Sequence, residues 1–291
     1  MNDHLALREP AERAAASLPP LLAHAEQLAG TLILGEHGRR RAGRGDDFWQ
    51  YRLAGAGDSS RMIDHRRSAR GDQQFVRERE WQTAQSVMLW VDRGASMGFS
   101  SAPGLPDKGA RARLLALACA ILLLRGGERV GLLGPALPPA RGRQQIERLT
   151  AAFLSETAGD HASPEAVVLP FGGRALLISD FLGPLGALRD MLAQAVGRRM
   201  QGILLQVLDP AEEDFPYRGR TLFQSMAGNL RHETLKAQDL RSRYHARLAE
   251  RRDELDRLAR MSGWQVGLHR TDESAQAALL WIWRALGRGA R

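Results

Sequence analysis

The chain of 291 residues is poor in cysteine, lysine and aromatic side chains, and each shortage excludes something. Its single cysteine, Cys119, rules out a disulfide framework and any multi-cysteine zinc or iron–sulfur centre. One thiol also suits a reducing compartment. Aromatics make up 6% of the residues, which leaves no obvious stacking platform for single-stranded nucleic acid. The longest apolar run, Leu114 to Leu124, is about half of the roughly 20 residues that a membrane-spanning helix needs. The first residues include Asp3, Glu9 and Glu12 in place of a basic start and a clean apolar core, so they do not read as a secretory leader. The expectation is a cytoplasmic protein without a membrane span. Enzyme signatures are also scarce. There is no G-x-x-x-x-G-K-[ST] loop and no H-E-x-x-H, and the eight histidines are scattered without ligand spacing.

Arginine is abundant instead. The net charge is +8, and Lys108 and Lys236 are the only lysines among 41 basic residues. Residues 39–79 hold eleven arginines against six acids. Phe48, Trp49, Tyr51, Ile63, Phe75 and Val76 are interleaved with them, so the segment reads as a folded module and not as a charged tail. Arginine pairs bidentately with carboxylates, and a dense Arg/Asp mixture can lock such a layer internally. The same arginines would offer a docking face to an acidic partner, with Arg52, Arg61, Arg67, Arg70 and Arg77 as candidate contacts. The alternative is a nucleic-acid-binding protein that uses the basic 39–79 module on a phosphate backbone.

Periodicity divides the chain at about residue 85. Residues 1–85 comprise helical segments around Pro19 and Pro20 followed by the Arg/Asp-rich module, with strand-like pieces at 46–52 and 73–80. Residues 86–291 alternate short continuous apolar runs with helical segments. The runs are Val87–Val91, Val130–Leu133, Ala175–Ile178, Ile203–Leu208 and Val266–Leu268. Unbroken apolar runs suit strands covered on both faces, so the pattern predicts a doubly wound, mostly parallel α/β sheet. Residues 229–261 are read as one long amphipathic helix.

Ligands of such sheets bind beyond the carboxyl ends of the strands. The first strand runs into Asp92-Arg93-Gly94-Ala95-Ser96, and the third into Ser179-Asp180. Two carboxylates and a hydroxyl meeting in one crevice would be hard ligands for Mg²⁺ or Mn²⁺. Either aspartate would serve equally as a helix N-cap.

These residues resemble a known family. Asp92-x-Gly94-x-Ser96 looks like the Asp-x-Ser-x-Ser motif of von Willebrand factor A domains, with Asp180 as the second aspartate of their metal-ion-dependent adhesion site. The stretch from Gly43 to Glu80 is similar to the hallmark segment of the bacterial "domain of unknown function 58" proteins, a von Willebrand A-like family. It carries Asp47-Phe48, Arg52, Gly57-Asp58, Arg61, Ile63-Asp64, Ser68-Ala69-Arg70 and Val76-Arg77-Glu78. Leu208-Asp209-Pro210-x-Glu212 and Leu240-Arg241-x-x-Tyr244 continue the likeness. The resemblance implies a non-enzymatic adaptor or chaperone partner of a MoxR-type AAA+ ATPase. It also implies a docking notch at Asp92, Ser96 and Asp180 in which a metal ion would be completed by a partner carboxylate. Two departures weaken the metal motif. Gly94 removes one hydroxyl, and neither Thr150 nor Thr157 aligns with the expected threonine.

Overall fold

A computed structural model describes residues 20–36, 48–53, 63, 65–69, 71, 73, 75–79, 85–134, 137–154, 161–164, 169–228 and 230–287. Two compact units are present, Gly35–Ala84 and the remainder of the chain.

In the larger unit, helix α1 (Pro20–Glu36) precedes a five-stranded sheet. Its strands are β3 (Ser86–Val91), β4 (Arg129–Leu132), β5 (Arg174–Ser179), β6 (Gln201–Leu208) and β9 (Gln265–Arg270). All neighbours pair in parallel, in the order β4-β3-β5-β6-β9. The crossovers contain α2 (Lys108–Arg125), α3 (Arg143–Leu154), α4 (Gly186–Gly197) and α6 (Arg241–Ser262), and α7 (Ala275–Gly287) closes the chain. The expected doubly wound α/β architecture is therefore present, with each predicted strand within two residues of its place.

Strand alternation sorts the core into two layers. Leu89, Val91, Leu176, Ile178, Ile203 and Leu205 pack with residues of α1, α2, α3 and α7. Met88, Ala175, Leu177 and Leu204 pack with α4 and α6. Both faces are covered, which explains why the strands read as unbroken apolar runs. Cys119 is fully buried in the first layer, and its thiol is pushed up to about 12 by that burial.

Two sequence expectations are corrected here. Helix α1 belongs with the large sheet and not with the Arg/Asp-rich module, because Leu22, Ala25 and Ala29 bury an apolar stripe in the first layer. The segment 229–261 is not one helix. Arg231–Thr234 forms strand β8, which pairs antiparallel with β7 (Thr221–Gln224), and a 3₁₀ turn (Ala237–Leu240) precedes α6. Gly228, at φ +77°, adopts the left-handed backbone that lets the chain turn before β8. Leu230 and Leu235, which lie at apolar positions of that expected helix, are exposed.

The smaller unit pairs β1 (Phe48–Leu53) with β2 (Phe75–Arg79) antiparallel, matching the two strand-like pieces. The Ser68 hydroxyl accepts a hydrogen bond from the Phe75 amide (2.9 Å).

The first turn of α2 is fastened to the end of β9. Arg111 donates to the carbonyls of Thr271 (2.9 Å) and Glu273 (2.7 Å), and its Nη1 lies 2.9 Å from His269 Nε2. This contact requires a neutral imidazole that accepts at Nε2. Burial and the Arg111 charge accordingly hold His269 down at about 4. Between that value and the ordinary 6.5 the unfolded chain binds one more proton than the native one, so stability falls on acidification. The expected loss is about 2 kcal/mol between roughly pH 6.5 and pH 5, read from urea midpoints. His269→Gln should flatten this slope, and an unchanged slope would refute the assignment.

Candidate functional site

The strand order turns around between β3 and β5, since the chain leaves β3 for β4 on one side and later places β5 on the other. Parallel sheets open their binding crevice at such a point, beyond the carboxyl ends of the strands. Asp92 follows β3 and Asp180 follows β5, and the Asp92 amide still donates to the Ile178 carbonyl (2.8 Å). The two residues that the motif singled out thus flank one crevice. Both are buried.

Their oxygens are already engaged. Asp92 Oδ1 accepts from the amides of Gly94 (2.8 Å) and Ala162 (3.1 Å), and Oδ2 accepts from the Ser179 hydroxyl (2.7 Å). Asp180 Oδ1 accepts from the Leu182 amide (3.0 Å), with His161 Nδ1 at 3.9 Å. Asp180 Oδ2 accepts from the Lys108 ammonium at 2.8 Å. The same ammonium donates to Glu212 Oε1 at 2.6 Å and is itself only 1% exposed.

Glu212 reaches this point through a capping box. Asp209 caps the short helix α5 (Pro210–Asp214), and Glu212 Oε2 accepts from the Asp209 amide (2.9 Å). Asp209 Oδ2 also accepts from the Ser101 amide (2.9 Å), which ties the loop after β3 to the end of β6.

The electrostatics follow from this geometry. Burial pushes the Asp92 carboxyl up, the hydrogen bonds from Ser179, Gly94 and Ala162 offset part of that, and the Asp180 charge adds to the rise. Burial also works against ionised Asp180, but the Lys108 charge and the Leu182 amide outweigh it and hold that carboxyl below its ordinary value. Lys108 loses hydration on burial, yet its two carboxylates keep it charged with a raised pKa. Burial leaves Glu212 above its ordinary value despite Lys108, so Glu212 is the softer partner of the trio.

Above this floor opens a cavity of about 700 Å³. Phe215 leads its wall, with ring centroids 4.8 Å from Tyr244, 5.3 Å from Tyr217 and 5.7 Å from Phe223. The Tyr244 hydroxyl donates to the Glu212 carbonyl (2.6 Å). Exposed Met226 and Leu230 of the β7–β8 hairpin line the mouth, together with Arg243 and Arg247. Phe181 and Phe215 adopt positive φ (50° and 43°), so two strained residues border the crevice. Such strain persists only where surrounding contacts over-determine it.

The candidate metal ligands divide in their behaviour. Ser96 Oγ is buried with no hydrogen-bond partner among the described residues, and Ser96 lines the cavity beside Asp180. Thr150, by contrast, donates to its own helix at the Ile146 carbonyl (2.8 Å), and Thr157 lies outside the described residues. No cluster of three or more His, Cys, Asp or Glu side chains suited to a metal occurs among the described residues. With Asp92 accepting three hydrogen bonds and Asp180 carrying an ammonium, the described residues as arranged fit a monovalent nitrogen cation better than a divalent ion.

Lys108 and Glu212 were not anticipated, although both left a trace in the sequence. Lys108 is one of two lysines in an arginine-rich chain and opens a helix, where the positive end of the macrodipole disfavours it. Asp209-Pro210-x-Glu212 is a capping-box pattern with proline at the first helical position. Gly94-Ala95-Ser96-Met97-Gly98 also has the spacing of a hydrolase nucleophile elbow. It forms a 3₁₀ turn several residues beyond the strand, and Ser96 has neither the strained positive φ nor a hydrogen-bonded base.

Of the arginines proposed for docking, Arg61 and Arg70 lie outside the described residues, as do the side chains of Arg52, Arg67 and Arg77. The backbones of Arg52 and Arg77 stand on β1 and β2.

Comparison with known proteins places the chain. An uncharacterised protein of Mycobacterium tuberculosis is 28% identical over 95% of this chain and 90% of its own length. An uncharacterised protein of Mycobacterium avium is 32% identical over 40% of this chain and 69% of its own length. Among solved structures, the conserved hypothetical protein BatB from Bacteroides thetaiotaomicron covers 70% of this chain and 100% of its own, with TM-score 0.38 and 14% identity. An aerotolerance-related membrane protein from Bacteroides fragilis aligns over the same shares, with TM-score 0.39 and 12% identity. Beside such names the expected cytoplasmic location does not stand and is withdrawn. Its grounds were the lone cysteine and the short apolar runs, which describe the chain's own helices and say nothing of association through a partner. Among the described residues no helix is long and apolar enough to cross a membrane. Residues 50–254 match the family model described as "Protein of unknown function DUF58", and the chain belongs to that family.

Proposed function

We propose that this chain is a non-enzymatic interaction module of the von Willebrand A-like type, which docks a protein partner in the crevice between β3 and β5. The observation that carries the reading is the composition of that crevice. An open, aromatic-lined cavity rises from a floor in which Lys108, Asp180 and Glu212 pair with one another and Asp92 accepts from Ser179 and two backbone amides. Here the floor supplies rigidity, and the wall supplies the apolar and aromatic surface that anchors partner side chains. The partner class implied by the family resemblance is a MoxR-type AAA+ ATPase, and the arginines of residues 39–79 are a second contact face for its acidic surface.

Leu230→Asp tests the reading at the cavity mouth, where the side chain is 68% exposed. The tagged protein is expressed in its native host and its co-purifying ATPase quantified. The variant should keep the wild-type melting curve and lose roughly tenfold or more of the recovered ATPase, about 1.4 kcal/mol. Equal recovery, or no ATPase with either protein, would count against the proposal.

A further inference from the structure

The geometry points to Lys108 as a built-in cation that stands where a divalent ion would otherwise be held, so that this strand-end crevice is a metal-independent site. Five observations converge on it. The ammonium sits between Asp180 Oδ2 and Glu212 Oε1 at 2.8 and 2.6 Å. It is buried to the same degree as the Asp180 carboxylate, with side-chain exposures of 1% and 0%. Among the described residues the oxygen set of the motif is one hydroxyl short, since Gly94 stands at its middle position. Ser96 Oγ is buried at the crevice with no hydrogen-bond partner among the described residues, and it does not join the ammonium's hydrogen bonds. Finally, the chain places a lysine at this point although nearly all its other basic residues are arginine.

The choice of lysine has a physical reason. An ammonium is a compact point charge with three donors and fits between two carboxylate oxygens from separate elements. A guanidinium is a wide planar fork that pairs best with one carboxylate face. Lysine in the first turn of α2 is opposed by the helix macrodipole, so its place is explained by Asp180 and Glu212 and not by the helix. The carboxylates come from residues 72 and 104 positions away in the chain, so the ammonium also clamps the ends of β5 and β6 to the start of α2. Direct coordination of Asp180 Oδ2 by a divalent ion would require this ammonium to leave a buried position, against both carboxylates.

The inference stands whether or not the crevice docks a partner, and its test uses the free full-length chain. Mn²⁺ binding is measured by water-proton relaxation on the wild type, Lys108→Ala, and Lys108→Ala combined with Asp180→Asn. Wild type should show no saturable binding at about 1 mM free Mn²⁺, the weak end of protein oxygen sites. Lys108→Ala should bind roughly tenfold more tightly than any wild-type uptake, and adding Asp180→Asn should abolish the gain. Saturable wild-type binding that Asp180→Asn removes would overturn the inference, as would a folded Lys108→Ala with no gain. Should Lys108→Ala not fold, the wild type decides alone. An identical melting temperature in chelator and in Mn²⁺ or Mg²⁺ supports the built-in cation, and a rise with metal refutes it.

Discussion

Replacing Lys108 by methionine is expected to destabilise the protein by about 3–5 kcal/mol, the loss seen when one partner of a buried ion pair is removed. Methionine retains most of the stem length, so packing changes little and the effect isolates the charge. Two carboxylates are left facing each other in a dry site, and the Asp180 carboxyl loses the contact that keeps it ionised. For a domain of this size the melting temperature should fall by roughly 10 °C, read by urea and thermal unfolding. The direction of rescue is equally specific. Lys108→Met combined with Asp180→Asn and Glu212→Gln should recover most of the loss, because a neutral, hydrogen-bonded cluster has no unpaired charge to desolvate. A single-variant loss below about 1 kcal/mol, the level of an exposed pair, would show that the trio behaves as a surface ion pair.

The second large effect concerns the close approach of β6 to its neighbours. A Cβ on Gly202 would lie 2.6 Å from the Ala175 carbonyl of β5 and 2.6 Å from the Trp264 ring. The carbonyl is held in the central sheet, and the indole donates to the Met200 carbonyl (3.1 Å), so neither can easily move away. Gly202→Ala should therefore destabilise the protein by about 3 kcal/mol, at the upper end for overpacking. Gly186→Ala is the control, since a Cβ there meets nothing within 4 Å. Urea midpoints of the two variants should differ clearly. A Gly202→Ala midpoint equal to that of Gly186→Ala would mean that the β5–β6 pair is looser than described.

Much of the fold was legible in the sequence because strands buried on both faces leave an unmistakable trace. Val87–Val91 and Ala175–Ile178 are continuous apolar runs and Ile203–Leu208 is broken only by Gln206, and each lies in a strand of the parallel sheet. Polarity that changes at the end of such a run marks the carboxyl edge, so Asp92 and Asp180 were identifiable as crevice residues. The hairpin β7–β8 was not, since Leu230 and Leu235 occupy exposed positions and their spacing carried no burial signal. Helix α1 was recognised as a helix but grouped with the wrong unit, because its apolar stripe says that it packs and not on what.

Local patterns thus decided the alternation of strands and helices, the parallel sheet, the inert core thiol of Cys119 and the two acidic residues at the strand ends. Tertiary structure alone decided what those acids face. Hydrophobic periodicity is a property of neighbouring residues, whereas an ion pair between positions 108, 180 and 212 exists only once α2, β5 and α5 have been brought together. A lysine in a sequence is a solvated charge by default, and only burial beside two carboxylates turns it into a structural cation.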